Sequence, residues 1–383
     1  MRCGDGALSP SKGVGSRDAA VKPTGMYSRR PLDGDRAPSP ALRGAGSAHG
    51  CGPSGGGVYF RLLRGRAFMR LLRGVDHRDP VFSGAVVTIG NFDGFHRGHQ
   101  AVVSRLLAAS ASRSAPSVLI TFEPSPQEFF VPERAPGRLQ RLRDRMDFLR
   151  TTGLDAVWLM RFGKTLSEMP AEDFVRRVLH HVLGARHVLV GDDFRFGKGR
   201  GGDFGLLEKM GRDLGFTVEA TPTLADDSGR ISSTRVRAAA QAGDFDAAER
   251  LLGRRYGLCG RVSHGDKRGR QIGFPTANVR LGSRPMALRG VYAGWLGLQN
   301  GVRLPSVANI GWRPTVAGTE QRLEVHALDA SPEIYGELVR FEPVARLRGE
   351  QRFDSLDALK AQIVRDADAA RAVFATFSMQ QPA

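Results

Sequence analysis

Cysteine is scarce in this chain: Cys3, Cys51 and Cys259 are the three in 383 residues. They have no metal-knuckle spacing and are too few for a disulfide scaffold, so a reducing compartment, the cytoplasm, is expected. Long apolar runs are missing too. None approaches the roughly 20 residues of a membrane span, which leaves no expected membrane partner. Acidic residues are short against basic ones, 39 Asp+Glu to 56 Lys+Arg, for a net charge of +17. Yet the body of the chain holds no Lys/Arg block interleaved with aromatics, so nucleic acid is not an expected partner. A solvated basic surface, or a basic cleft for anionic small molecules, accounts for the charge.

Residues 1–57 also lack any hydrophobic period and are dominated by Gly, Ser, Pro, Ala and Arg. Such a segment buries too little apolar surface to offset its ordering entropy. It has no apolar core of a secretory signal. Met69 opens a short apolar stretch, so residues 1–68 are expected to be a disordered tail or an over-extended start.

What is present is sharper. The apolar run 85–89 ends in Gly90-Asn91-Phe92-Asp93-Gly94-Phe95-His96-Arg97-Gly98-His99. A β-branched run closing on Gly-Asn reads as a buried strand entering a tight turn, and 100–109 have helical spacing. Asn91, Asp93, His96 and His99 therefore sit at a strand-to-helix junction. Ligands of α/β sheets collect there, and a helix N-terminus favours anions.

Strand-like and helix-like segments alternate onward. Strands are expected at 117–122, 156–160, 187–190 and 216–220, helices at 138–150, 171–183 (Pro170 in its first turn), 204–214 and 244–252. That alternation predicts a doubly wound parallel sheet over 69–250. The pattern then changes. Segments 256–263, 290–298, 304–309, 322–329 and 338–345 read as strands with Gly/Pro turns, predicting a small antiparallel β-barrel over 254–383. A closing helix over 355–374 would turn Leu356, Leu359, Ile363, Ala367, Ala370 and Phe374 to one face.

Three further motifs bear chemistry. Ser232, Ser233 and Thr234 open a helix with Arg237 three residues on, a set that either caps the helix or holds an anion. The cationic, Gly-rich loop 264–273 leads to Pro275-Thr276-Ala277-Asn278. Thr276 and Asn278, two apart on an extended segment, point the same way and offer oxygens to Mg²⁺. Glu324 is a carboxylate on a strand; His326 shares its side and is read as structural.

In this order, the motifs resemble those of bacterial bifunctional riboflavin kinase/FAD synthetases, over about residues 69–375. The resemblance implies that 69–250 adenylylates FMN and 254–383 phosphorylates riboflavin, with ATP as co-substrate, Mg²⁺ as cofactor, and riboflavin, FMN and FAD as substrates and products. It implies that His96 and His99 stabilise charge on the transferred adenylyl group. Gly90, Asn91, Phe92, Asp93, Asp193, Phe194 and Phe196 would line that site, and Ser232, Ser233, Thr234 and Arg237 would receive the pyrophosphate. In the second half Gly265, Asp266, Lys267, Gly273, Thr276 and Asn278 would hold MgATP, with Thr276 and Asn278 on the metal. Arg313, in 311–315, would lie near the substrates, and Glu324 would be the general base. Ser125 stands where the family commonly has His and receives no role. A same-fold transferase with another acceptor and a non-enzymatic flavin or nucleic-acid binder are the other readings; the Pro275–Asn278 motif argues against the first.

Overall fold

A computed structural model of the chain describes residues 69–74, 80–264, 273–315 and 318–379. The expected tail 1–68 and the expected phosphate-loop residues Gly265, Asp266 and Lys267 lie outside the described residues.

Six strands form the first sheet: β1 (Arg70–Arg73), β2 (Val86–Ile89), β3 (Ser117–Glu123), β4 (Ala156–Arg161), β5 (His187–Gly191) and β6 (Thr217–Thr221). Their order is β1-β4-β3-β2-β5-β6, and all neighbours run parallel. The central strands are apolar on both faces, as a sheet covered on both sides requires; β2 and the first five residues of β3 are wholly buried. The chain steps outward from β2 through β3 to β4, then returns to lay β5 against the other side of β2. Such a reversal opens a crevice at the carboxyl ends of the two strands. The Gly90–His99 turn leaves β2 at that crevice, and Asp192-Asp193 follow β5.

Helix α1 (Arg97–Ser112) and α2 (Pro126–Phe130) precede α3 (Leu142–Leu149). The helix expected over 138–150 is thus shorter at its start. Main-chain groups of Arg138 and Leu139 are used elsewhere: Arg138 N–H donates to Pro285 O at 2.7 Å, and Leu139 N–H to Asp93. After α4 (Lys164–Ser167), α5 (Ala171–Phe174) runs on through a π-helical stretch over Val175–Val182, with Pro170 one position before the first helical residue. Helix α6 (Phe204–Leu214) and the short hairpin β7 (Ala225–Asp226) and β8 (Gly229–Arg230) lead to α7 (Ser233–Ala242) and α8 (Phe245–Leu252).

The remainder closes into an antiparallel barrel, order β10-β13-β12-β11-β14-β9. Its strands are β9 (Leu258–Ser263), β10 (Ala277–Gly282), β11 (Gly290–Gly297), β12 (Arg303–Thr315), β13 (Gly318–Ala327) and β14 (Leu338–Arg348). Strand β10 is the one that alternation did not single out. Val279 and Leu281 are buried within it, while Asn278 is half-buried and Arg280 exposed. Helix α9 (Leu356–Met379) covers β11 and β12 with Ala367, Ala370 and Phe374. Leu356, expected on that buried face, is instead 65 % exposed, because the helix meets the barrel only further along.

One apolar core joins the barrel interior to α7 and α8: Val236, Ala240, Phe245, Leu251 and Leu252 pack with Tyr292, Leu323 and Phe341. Segment 137–141 ties the sheet to the barrel. Arg138 pairs with Met286, Ala287 N–H donates to Arg138 O at 2.8 Å, and the Arg141 guanidinium donates to the carbonyls of Cys259 and Arg280. Gly137 permits this approach, since a Cβ there would fall 2.6 Å from Met286 O.

Candidate active sites

The first cluster is built on the β2–α1 turn. Phe92 and Phe95 both adopt positive φ, 51° and 42°, and Gly94 80°. Their rings are buried in the core beneath α1. Phe92, expected to line the site, anchors the turn from below with its ring buried. Asn91 stays exposed while its carbonyl accepts from Thr121 Oγ1 and the Arg145 guanidinium.

His96 caps α1: its Nδ1 accepts from His99 N–H at 3.4 Å. That contact leaves the neutral ring's proton on Nε2, the atom free to donate. The two imidazoles stack with centroids 3.7 Å apart. Burial, followed by the nearby Arg230, Arg254 and Arg237 charges, lowers the His96 pKa from 6.5 to about 4. Burial, then His96, Arg145 and Arg230, pushes His99 down as well. Both rings are therefore neutral at pH 7. They present neutral hydrogen-bonding rings inside a field supplied by arginines. His99 Nδ1 is buried without a hydrogen-bond partner, an arrangement that is costly unless a ligand or water completes it.

Asp93 is a clamp. Its carboxylate accepts from the N–H groups of Leu139 and Gln140 and from Arg237 Nη2 at 2.6 Å. Its carbonyl accepts from Ser233 Oγ at 2.8 Å. These contacts bring the two motifs, about 140 residues apart, together as expected. The same contacts give the second motif partners within the protein. Ser232 Oγ caps α7, Ser233 holds Asp93, and Arg237 is occupied by Asp93 and by Gly137 O at 2.7 Å. Thr234 is exposed. Arg237 thus braces the turn, while Thr234 and Arg230 stay exposed. Asp193 is exposed and paired with Arg230 at 2.6 Å. Phe194 is half-buried and stacks on the buried Phe196, centroids 5.3 Å apart.

Ser125 has a local duty. It caps α2 in a reciprocal capping box with Glu128. Burial alone would raise the Glu128 pKa, but Arg138 and the Ser125 amide hold it at about 2.

The second cluster lies on the outer face of the barrel. Register places Asn278, Glu324 and Asn309 side by side across β10, β13 and β12. Along β13 Leu323, Val325 and Ala327 are buried and Glu324 and His326 are not, so the expected period of two holds there. Asn278 Nδ2 folds back to Thr276 O at 3.2 Å, which turns its amide toward Thr276. His326 Nδ1 lies 2.8 Å from Pro275 O and fixes the segment before Thr276. Arg313 holds Glu324 in a two-pronged pair, Nε–Oε1 3.0 Å and Nη2–Oε2 2.8 Å. Gly273 is exposed at the start of this segment. Beside Thr276, a small cleft partly open to solvent is lined by Val262, Leu296, Val325, Ile334 and Tyr335.

Comparison with known proteins settles the family. Residues 79–235 match the FAD synthetase family model and residues 252–374 the riboflavin kinase model. The bifunctional riboflavin kinase/FMN adenylyltransferase of Escherichia coli K12 is 46 % identical over 308 residues, covering 80 % of this chain and 98 % of its own. The chain belongs to this bifunctional family. The Pseudomonas fluorescens member is 48 % identical over the same shares of the two chains. A crystal structure described as a macrolide-efflux protein from Streptococcus pneumoniae is similar over 79 % of this chain and 98 % of that one, with TM-score 0.63 and 30 % identity. No helix among the described residues of this family member is long and apolar enough to cross a membrane.

The sequence reading missed Arg145, Arg230, Arg254 and Asn309. Arg254 falls in the riboflavin kinase match, yet it donates to Gly94 O at 2.7 Å in the first cluster. An arginine after a helix stop carries no mark of that reach. Asn309 did leave a signal, its outward parity within the expected strand 304–309.

Proposed function

We propose that the two clusters are two separate catalytic centres, one in residues 69–250 and one in 254–383. The enzyme phosphorylates riboflavin with ATP to give FMN, then joins FMN to AMP from a second ATP, giving FAD and pyrophosphate. The Asn278–Glu324–Asn309 row carries the assignment of the kinase centre, because it sets a carboxylate beside hard oxygen donors.

In that centre Glu324 takes the proton of the ribityl primary hydroxyl as its oxygen attacks the γ-phosphorus, and ADP leaves. Thr276 and Asn278 offer neutral oxygens, and no cluster of three His, Cys, Asp or Glu among the described residues makes an all-protein metal cage. That donor set fits Mg²⁺ shared with nucleotide phosphates. Bound there, the ion would screen phosphate charge. Gly273 and the loop before it are proposed to follow the nucleotide.

In the first centre an FMN phosphate oxygen attacks the α-phosphorus of ATP in line and pyrophosphate departs. His96 Nε2–H and His99 donate to the charge developing on the transferred group, as preorganised neutral donors. Asp93, Ser233 and Arg237 hold the turn in place, while Thr234, Arg230 and the α7 amino terminus receive the leaving group. A cytoplasmic enzyme with small-molecule partners and no nucleic-acid partner is the reading that composition supports. Riboflavin incubated with MgATP should yield FMN and then FAD on separation of the flavins; unchanged riboflavin would overturn the reading.

A further inference from the structure

Glu324 is proposed as the base, yet both of its oxygens are taken by one guanidinium. A carboxylate held this way turns one lone pair of each oxygen to the fork, so a third group cannot approach it along those directions. The pair is also easy to open. Arg313 is 47 % exposed and Glu324 22 %, and half-exposed ion pairs contribute little net stability. What replaces it must satisfy a planar two-pronged donor, and a phosphate does so as well as a carboxylate. Asn278, proposed to sit at the metal and phosphates, is the register neighbour of Glu324. A nucleotide phosphate seated beside Asn278 would lie one strand from the carboxylate that holds the guanidinium.

We infer that Arg313 is a positioning residue that exchanges partners: it holds Glu324 until a nucleotide phosphate takes the guanidinium and frees the carboxylate for the riboflavin hydroxyl. The inference rests on the assignment of Glu324 as base. The exchange couples base release to nucleotide arrival.

The test is a double-mutant cycle on nucleotide affinity in the full chain. Its first centre is disabled by His96→Ala and His99→Ala, and binding of one ADP per chain in the presence of Mg²⁺ is read by calorimetry. With Arg313 present, Glu324→Gln releases the guanidinium and should tighten ADP binding by about threefold to tenfold, whereas in the Arg313→Gln background the same change should move it less than about twofold. Equal tightening in both backgrounds would mean simple relief of charge repulsion and would overturn the exchange. Arg313→Lys, which keeps the charge without the fork, should recover less than half of the coupling; full recovery would also count against it. Failure of the base assignment reads out differently, as FMN formation surviving Glu324→Gln in the otherwise unaltered chain.

Discussion

Arg237 reaches across 144 residues of chain to place Nη2 2.6 Å from an Asp93 carboxylate oxygen, with both side chains largely out of water. The same carboxylate takes two main-chain N–H groups from the segment that fastens the barrel. Asp93→Ala strands a guanidinium and two donors at once. It should lower stability to urea by about 3 kcal/mol and reduce FAD synthesis more than FMN synthesis. Adding Arg237→Ala should recover part of the stability, because the uncompensated charge is then gone. A single variant as stable as the parent would show the clamp to be idle.

The His96 environment fixes a sign for the pH response. Its folded pKa of about 4 lies below the unfolded 6.5, so the unfolded chain binds the proton more readily between those values. Stability from this group is complete above pH 6.5 and drains away as pH falls toward 4. The difference between pH 7 and pH 5 should be about 2 kcal/mol. Urea titrations at the two pH values should show His96→Asn with a correspondingly flatter response. An unchanged slope would place the acid sensitivity elsewhere.

The two centres should separate cleanly by mutation. Glu324→Gln should abolish FMN formation from riboflavin and leave FAD synthesis from supplied FMN within about twofold. His99→Ala should do the reverse, with FMN accumulating and FAD formation down by about a hundredfold or more, the scale of losing a preorganised donor. Flavin separation after incubation reads both. Equal damage to both activities in folded protein would remove the two-centre division.

Much of this arrangement was legible along the chain because it is local. The β2–α1 turn, the cap of α7 and the parity of β13 each depend on residues a few positions apart, and period and turn chemistry report such features. The partners of Arg145, Arg230, Arg237 and Arg254 did not show. Each is decided by what the fold brings to the guanidinium: Asn91 O, Asp193, Asp93 and Gly94 O respectively. The depth of Phe92 did not show either: it stands in a motif expected to line a site, and the positive-φ turn carries its ring into the core. The late start of α3 has the same origin, since the main chain of residues 138–140 is recruited by Asp93 and by the 285–287 loop before a helical turn can use it.

The fastening of residues 137–141 to the barrel bears on how the two activities can be recombined. Chimaeras that exchange the barrel of this enzyme for a relative's meet a shared main-chain joint at Arg138, Met286 and Ala287 rather than a tether. A workable crossover has to move both sides of that joint together, with Gly137 among them, or the graft will unseat Asp93 in the half left unaltered. The natural unit of exchange is thus the joint with its barrel, and a cut placed at the sequence boundary near residue 253 divides the enzyme where it is most continuous.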